Sequence, residues 1–294
     1  MQKPVDYFQI FGYDIRGRLR IKNLLIDRSE HVQQKIRKKH YGKYILRWSI
    51  TLLILVMLVF GSICGLRLRH FYRAIHGDIP AESPDLSKFP VKGIDISRYQ
   101  GDIDWDVLSK EDHVQFAFIK ATEGSTYQDD LFTQNWEAAE TAGVFVGAYH
   151  FFRFESDGKE QADNFIATVP KLENTLPPVI DIEIYDGEIV PDAKTARTEI
   201  QEMADALEAY YGVKPILYTN PSTYIDYLMG HRWGYAVWMS NPYCEPIVDW
   251  TFWQYSFEGD LQGFAQEHIP VDLNVYNGSR KQFLKQFSLQ EISN

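Results

Sequence analysis

Eight short runs rich in β-branched and aromatic residues recur between Val91 and Val275, and they constrain this chain more than any other feature. They fall at 91–96, 116–121, 145–151, 179–183, 216–218, 236–239, 251–255 and 271–275, each short enough for a strand and too short for a helix. Helical patterns lie between several of them. Residues 132–142 stop at Gly143, 158–169 stop before Pro170, and 195–211 stop before Gly212, the residues at which helices end. The order strand, helix, strand predicts an α/β protein with a parallel sheet. Roughly 190 residues hold too little chain for eight full helices, so a TIM-like β/α barrel with a reduced helix number is expected, and a doubly wound open sheet is the runner-up. No internal repeat, GxGxxG or phosphate loop is present, which leaves a nucleotide site without support.

A second feature precedes the strands. The 19 residues 48–66, WSITLLILVMLVFGSICGL, carry no charge and would span about 28 Å as a helix at roughly 1.5 Å per residue, close to the hydrocarbon thickness of a bilayer. A cleavable signal would be shorter and would follow a brief basic start, so one retained N-terminal transmembrane helix is expected. Lys35, Arg37, Lys38, Lys39, Lys43 and Arg47 crowd its N-terminal flank against Arg67, Arg69 and Arg73 on the other side, a bias that places the N-terminus in the cytoplasm and the rest of the chain across the membrane. Residues 1–47 hold 12 Lys and Arg against 4 Asp and Glu, whereas the remainder of a chain with net charge −10 is acidic. Lipid headgroups account for such a basic head without any nucleic acid. The expected organisation is a basic cytoplasmic head at 1–47, a bilayer-spanning anchor at 48–66, a stalk at 67–90 marked by Pro80, Pro84 and Pro90, and a catalytic barrel at 91–290.

Acidic residues sit at or just past the ends of these runs: Asp95 in VKGIDIS, Glu123 in FIKATEG, Asp181 and Glu183 in PVIDIE, and Asp272 in PVDLN. Barrel enzymes gather their catalytic groups at that end of the strands. Asp181 and Glu183 stand at i and i+2, on one face and roughly 6.6 Å apart along the strand at about 3.3 Å per residue. Two carboxylates that close repel when both are ionised, so one retains a proton at higher pH and becomes a donor. Glycosidic cleavage needs that donor and a second carboxylate to stabilise positive charge at the sugar carbon. On spacing alone, a salt-bridged acid beside a solvated one is an equal alternative.

Aromatic and amide groups occupy neighbouring strand ends: Tyr149 and His150, Tyr218, Trp238, and the run Trp253, Gln254, Tyr255. Flat apolar faces mixed with donors and acceptors suit a saccharide cleft, although packing explains each of them singly. A Ser-His-Asp hydrolase would use His150, but no GxSxG elbow occurs. The eight histidines show no HExxH spacing, and one of the two cysteines, Cys64, lies inside the uncharged run while the other is Cys244. Neither a metal, a cofactor nor a disulfide framework is expected.

Taken in order, GIDISRYQGDIDW, FAFIKATEG with Tyr127, Asp129, Phe132 and Asn135 after it, AGVFVGAYHFF, PVIDIE, FWQYS and VDLNVYNGS resemble the glycoside hydrolase family 25 lysozymes, the Chalaropsis-type N-acetylmuramidases. The resemblance runs from about Val91 to Phe283 and departs from the family's pattern at WMSNPY, around Ser240 and Asn241. It implies a barrel with fewer helices than eight, and hydrolysis of the β-1,4 bond between N-acetylmuramic acid and N-acetylglucosamine in peptidoglycan glycan strands. By position it implies Glu183 as general acid, Asp181 as the carboxylate that stabilises the reacting centre, Asp95 and Asp272 as supporting acids, and Tyr149 beside the reactive sugar. Glu123, Tyr218, Trp238 and Gln254 complete the expected substrate-binding set. In such enzymes the substrate's own acetamido group is described as the nucleophile, with Asp181 then orienting that amide. A cell-wall-binding module without catalysis, and a hydrolase of another glycan, are the alternatives.

Overall fold

The computed structural model describes residues 48–59, 61, 62, 65 and 85–292, apart from 172, 186, 232 and 266–268. The chain divides into two compact units, Met1–His70 and Phe71–Asn294. In the first, the described residues are helical and their large apolar side chains, from Trp48 to Val59, are exposed. Among the described residues, no helix is long and apolar enough to cross a membrane. Residues 60, 63, 64 and 66 of the expected span, the head at 1–47 and most of the stalk lie outside the described residues.

The second unit is a closed barrel. Its strands are β1 (Lys92–Ile96), β2 (Phe116–Glu123), β4 (Phe145–Phe151), β5 (Val179–Ile182), β6 (Ile216–Thr219), β7 (Ala236–Ser240), β8 (Phe252–Gly259) and β9 (Val271–Tyr276), with a two-residue β3 (Tyr127–Gln128) hairpinned onto β2. The ring β1-β2-β4-β5-β6-β7-β8-β9 closes by pairing β9 with β1, so the open-sheet alternative is set aside. Neighbours from β1 to β8 are parallel, and β9 runs antiparallel to both β8 and β1. A parallel return needs a crossover, usually a helix, whereas an antiparallel one does not; accordingly, no helix occurs among the described residues between β8 and β9.

Helices cover the outside. They are α1 (Trp105–Lys110), α2 (Phe132–Thr141), α3 (Gly158–Thr168) and α4 (Ala193–Tyr211), followed by a short Pro221–Thr223 turn running into a π-helical Tyr224–Leu228, and by α5 (Arg280–Gln286). Asp104, Asp157, Asp192 and Ser279 cap α1, α3, α4 and α5 by accepting backbone N–H groups that would otherwise have no partner. Ile200, Met203, Ala204 and Leu207 of α4 are buried, the i, i+3, i+4, i+7 stripe of a helix lying on a sheet.

Strand parity divides the core in two. Ile94, Ala117, Ile119, Val146, Ala148, Ile180 and Leu217 face outward into the helix layer. Phe116, Phe118, Phe145, Val179, Ile216, Trp238 and Phe252 fill the barrel, with Phe283 of α5 packed against them. Two glycines make room for that aromatic stack. A Cβ on Gly93 would sit 2.5 Å from the Phe116 ring, and one on Gly147 would sit 2.7 Å from the Phe118 ring, well inside van der Waals contact. Because side chains alternate along a strand, the parity that buries Phe116, Phe145, Val179 and Ile216 also turns Lys120, Tyr149, Asp181 and Tyr218 inward, nearer the strands' C-terminal ends.

Candidate active site

Those inward positions open into a cavity of about 290 Å³. Of the residues expected from sequence, Asp95, Glu123, Tyr149, Asp181, Glu183, Tyr218, Trp238 and Asp272 line it, together with Ser97, Tyr99, Lys120, Phe151, Arg153 and Tyr185. Gln254 is fully buried on β8 and reaches the site through a hydrogen bond to Asp95. A larger, more open groove of about 1110 Å³ between α1, α2 and residues 262–265 contains none of the expected residues.

Asp181 is the penultimate residue of β5, and Glu183, just past the strand's end, and Tyr185 follow it at two-residue steps into the same cavity. Burial, then the nearby Glu183 charge, push Asp181 well above the ordinary carboxylate range, and Asp95 adds to that while Lys120 opposes it. Its Oδ1 is buried and accepts no hydrogen bond among the described residues. An unmet buried acceptor is costly, so this oxygen is primed for a donor brought in from outside. Burial also raises Glu183; the Asn220 amide, donating from Nδ2 to Oε1 at 3.3 Å, holds it down, Asp272 raises it again, and the Tyr185 hydroxyl lowers it.

Asp95 and Asp272 are direct partners across β1 and β9. Burial and the Asp272 charge raise Asp95 well above its usual range, while burial pushes Asp272 up to about 6. Asp95 Oδ2 accepts from Gln254 Nε2 at 2.9 Å and from Asn274 Nδ2 at 2.7 Å. Tyr218 donates to Gln254 Oε1 at 2.8 Å, and Trp238 Nε1 donates to Asn274 Oδ1 at 2.8 Å. Two relays from the barrel core therefore fix both amides with their N–H groups toward Asp95. Trp238 is almost fully buried and stacked on Phe118 at 4.5 Å, so it forms the cleft floor with little face left for a sugar. Burial holds Tyr149 and Tyr218 protonated, with pKa values well above the usual phenol range.

Glu123 reaches the cleft through a bulge. The β2–β4 register slips between Lys120 and Thr122, so Lys120 and Glu123, three residues apart, both turn inward and pair at 2.7 Å. The Lys120 ammonium also lies over the rings of Tyr127 and Phe151. His150 faces the other way. It is fully buried between Thr122 Oγ1 and Gln161 Oε1, and burial pushes it down to about 4, so this neutral imidazole is a packing group outside the cleft. Trp253 likewise packs outward against Phe89 and Trp250, its indole N–H spent on the Asn241 carbonyl at 2.8 Å. Ser240 and Asn241, at the departure from the family's pattern, are both buried.

Asn220, Asn274, Lys120 and Tyr185 belong to the site and are absent from the expected set. For Asn274 the signal was available: it stands at i+2 from Asp272 and shares its face.

The sequence profile described as Glycosyl hydrolases family 25 matches residues 94–264. The uncharacterised protein YegX of Escherichia coli strain K12 is 36% identical over 221 residues, covering 71% of this chain and 78% of that protein. Lysozyme M1 of Streptomyces globisporus is 36% identical over 211 residues, covering 66% and 70%. Among solved structures, a family 25 glycosyl hydrolase from Bacillus anthracis superposes with a TM-score of 0.64 at 39% identity, covering 70% of this chain and 96% of that one.

Proposed function

The chain belongs to glycosyl hydrolase family 25, and from that membership we propose that its muramidase chemistry on peptidoglycan runs through Asp181 and Glu183. It is a glycoside hydrolase of the lysozyme kind. Glu183, raised by burial, keeps a proton toward neutral pH and gives it to the oxygen leaving N-acetylmuramic acid. Asp181 takes the N–H of that sugar's acetamido group on Oδ1, and the amide's carbonyl oxygen closes on the anomeric carbon as the glycosidic bond breaks. The Glu183 carboxylate then draws a proton from water, which opens the cyclic intermediate and restores both groups.

The observation that carries this reading is the buried, unpartnered Asp181 Oδ1 beside a carboxyl, Glu183, that burial pushes upward. Digestion of purified peptidoglycan by the full chain is expected to release new reducing ends at muramic acid. Release at N-acetylglucosamine instead, or no product, overturns it.

We further propose that 48–66 anchors the chain as a single membrane pass with its N-terminus cytoplasmic and residues 91–290 on the periplasmic or cell-wall side. Support comes from 19 uncharged residues behind six nearby cations, and from exposed apolar side chains along the described helix. The full chain is expected to sediment with membranes and to lose its body, not its head, to protease added outside. Recovery in the soluble fraction would sink the anchor.

A further inference from the structure

We infer that Asn220 is a positioning residue for the general acid, fixed in its task by a second duty as a helix cap; the inference rests on the reading of Glu183 as that acid. The barrel register brings the two side by side. Ile182 pairs with Thr219 in the parallel β5–β6 ladder, and the next residue along each strand is Glu183 and Asn220. Both continue the inward parity of Asp181 and Tyr218.

The local sequence then fixes which end of the Asn220 amide faces the acid. Pro221 opens the short helix that follows β6, and Asn220 is its N-cap. Its Oδ1 accepts the Thr223 N–H at 3.0 Å, while its backbone carbonyl accepts from Tyr224 at 2.9 Å. With the oxygen committed, only the NH₂ group remains for the neighbour, and it donates to Glu183 Oε1 at 3.3 Å. An amide nitrogen can donate and cannot accept, so the pairing leaves Oε1 as acceptor and confines the catalytic proton to Oε2.

The choice of residue is informative. Ser, Thr, Asp and Asn all cap helices well, yet Ser and Thr are too short to keep the cap and also reach a neighbouring strand end. Asp would set a third carboxylate beside Asp181 and Glu183. Asparagine alone among these supplies an acceptor to the helix and a donor to the acid, and that donor opposes the upward push of burial on Glu183. Other groups sharing the cavity with Glu183 are Asp181 from its own strand, Asp95 and Asp272 from β1 and β9, Tyr149 and Tyr218 from β4 and β6, Tyr185 from the loop after β5, and Lys120, Glu123 and Arg153 across the cleft. None of these is changed by substitution at 220.

The test uses the full chain in detergent with Asn220→Ser, which keeps a cap oxygen and removes the donor, and Asn220→Asp, which keeps the cap and replaces the donor with an acceptor. The alkaline limb of the kcat/KM profile on peptidoglycan is expected to move to higher pH in both, by about half a unit in the first and about one unit or more in the second. A carbon-13 titration of the Glu183 carboxyl, located by its loss in Glu183→Gln, is expected to move the same way. Thermal unfolding within about 2–3 °C of wild type verifies the cap; where one variant unfolds, the other decides. A carboxyl titration that stays at its wild-type position in a folded variant overturns the inference. If wild-type protein releases no muramic acid ends, the muramidase reading fails instead, and the titration still decides whether Asn220 governs Glu183.

Discussion

Asp95 and Asp272 face each other across the antiparallel pairing of β1 with β9 that closes the barrel, and the amides of Gln254 and Asn274 both donate to Asp95. Two acids of the cleft floor thus hang on the same pair of strands that shuts the fold.

Asp272→Asn should therefore change stability in a pH-dependent way. Burial lifts Asp272 to about 6, above the roughly 3.9 of an unfolded aspartate. The folded state binds that proton more tightly, so its contribution favours folding at low pH and is lost as pH rises from about 4 through about 6. The variant carries no such loss. Its Tm relative to wild type is expected to be higher at pH 7.5 than at pH 4, by about 2–4 °C. A difference that is flat across pH would refute the assignment.

Glu183→Gln removes the proposed proton donor while keeping the shape and the Asn220 contact. The expected result is a fall in kcat of roughly 10²- to 10⁴-fold, with KM and Tm little changed. Turnover near wild type would reassign the acid.

If Asp181 orients the acetamido group, the substrate must carry one. Glycan strands de-N-acetylated at the cleaved sugar are expected to be hydrolysed at least about 10²-fold more slowly, in proportion to the loss of an internal nucleophile. Equal rates on acetylated and de-acetylated strands would point to direct attack by a carboxylate.

Gly147→Ala tests the packing beneath the site. The new methyl would lie 2.7 Å from the Phe118 ring and 3.0 Å from Leu176, and Phe118 is itself stacked on the cleft-floor Trp238. Overpacking of this kind costs about 1–3 kcal/mol, read as a lower midpoint in chemical denaturation. An unchanged midpoint would mean that the barrel relaxes at no cost.

All eight barrel strands were legible, because apolar, β-branched runs bounded by turn residues leave few other options. Asp181 and Glu183 were legible as a pair because two-residue periodicity survives in any strand. Strand direction was not: nothing in 271–275 marks β9 as antiparallel, since direction is set by the length and course of the preceding connection. The bulge at Lys120–Thr122 was equally hidden, and with it the pairing of Lys120 with Glu123. His150 and Tyr149 are adjacent and face opposite ways, which the sequence shows only once one of them is assigned a side. Asn220 escaped because its signature, an asparagine before Pro221, reads as a turn and gives no sign of the acid at the end of the neighbouring β5.

The antiparallel seam also sets an order of events. β1 is the first barrel strand to be synthesised and β9 the last, with Asp95 and Asn274 separated by 179 positions. A nascent chain that has not yet released β9 has open edges on β1 and β8, lacks Asp272, and leaves Asp95 without the Asn274 amide. The proposed site is thus completed by the final strand to emerge, and every shorter intermediate of synthesis lacks part of its lining.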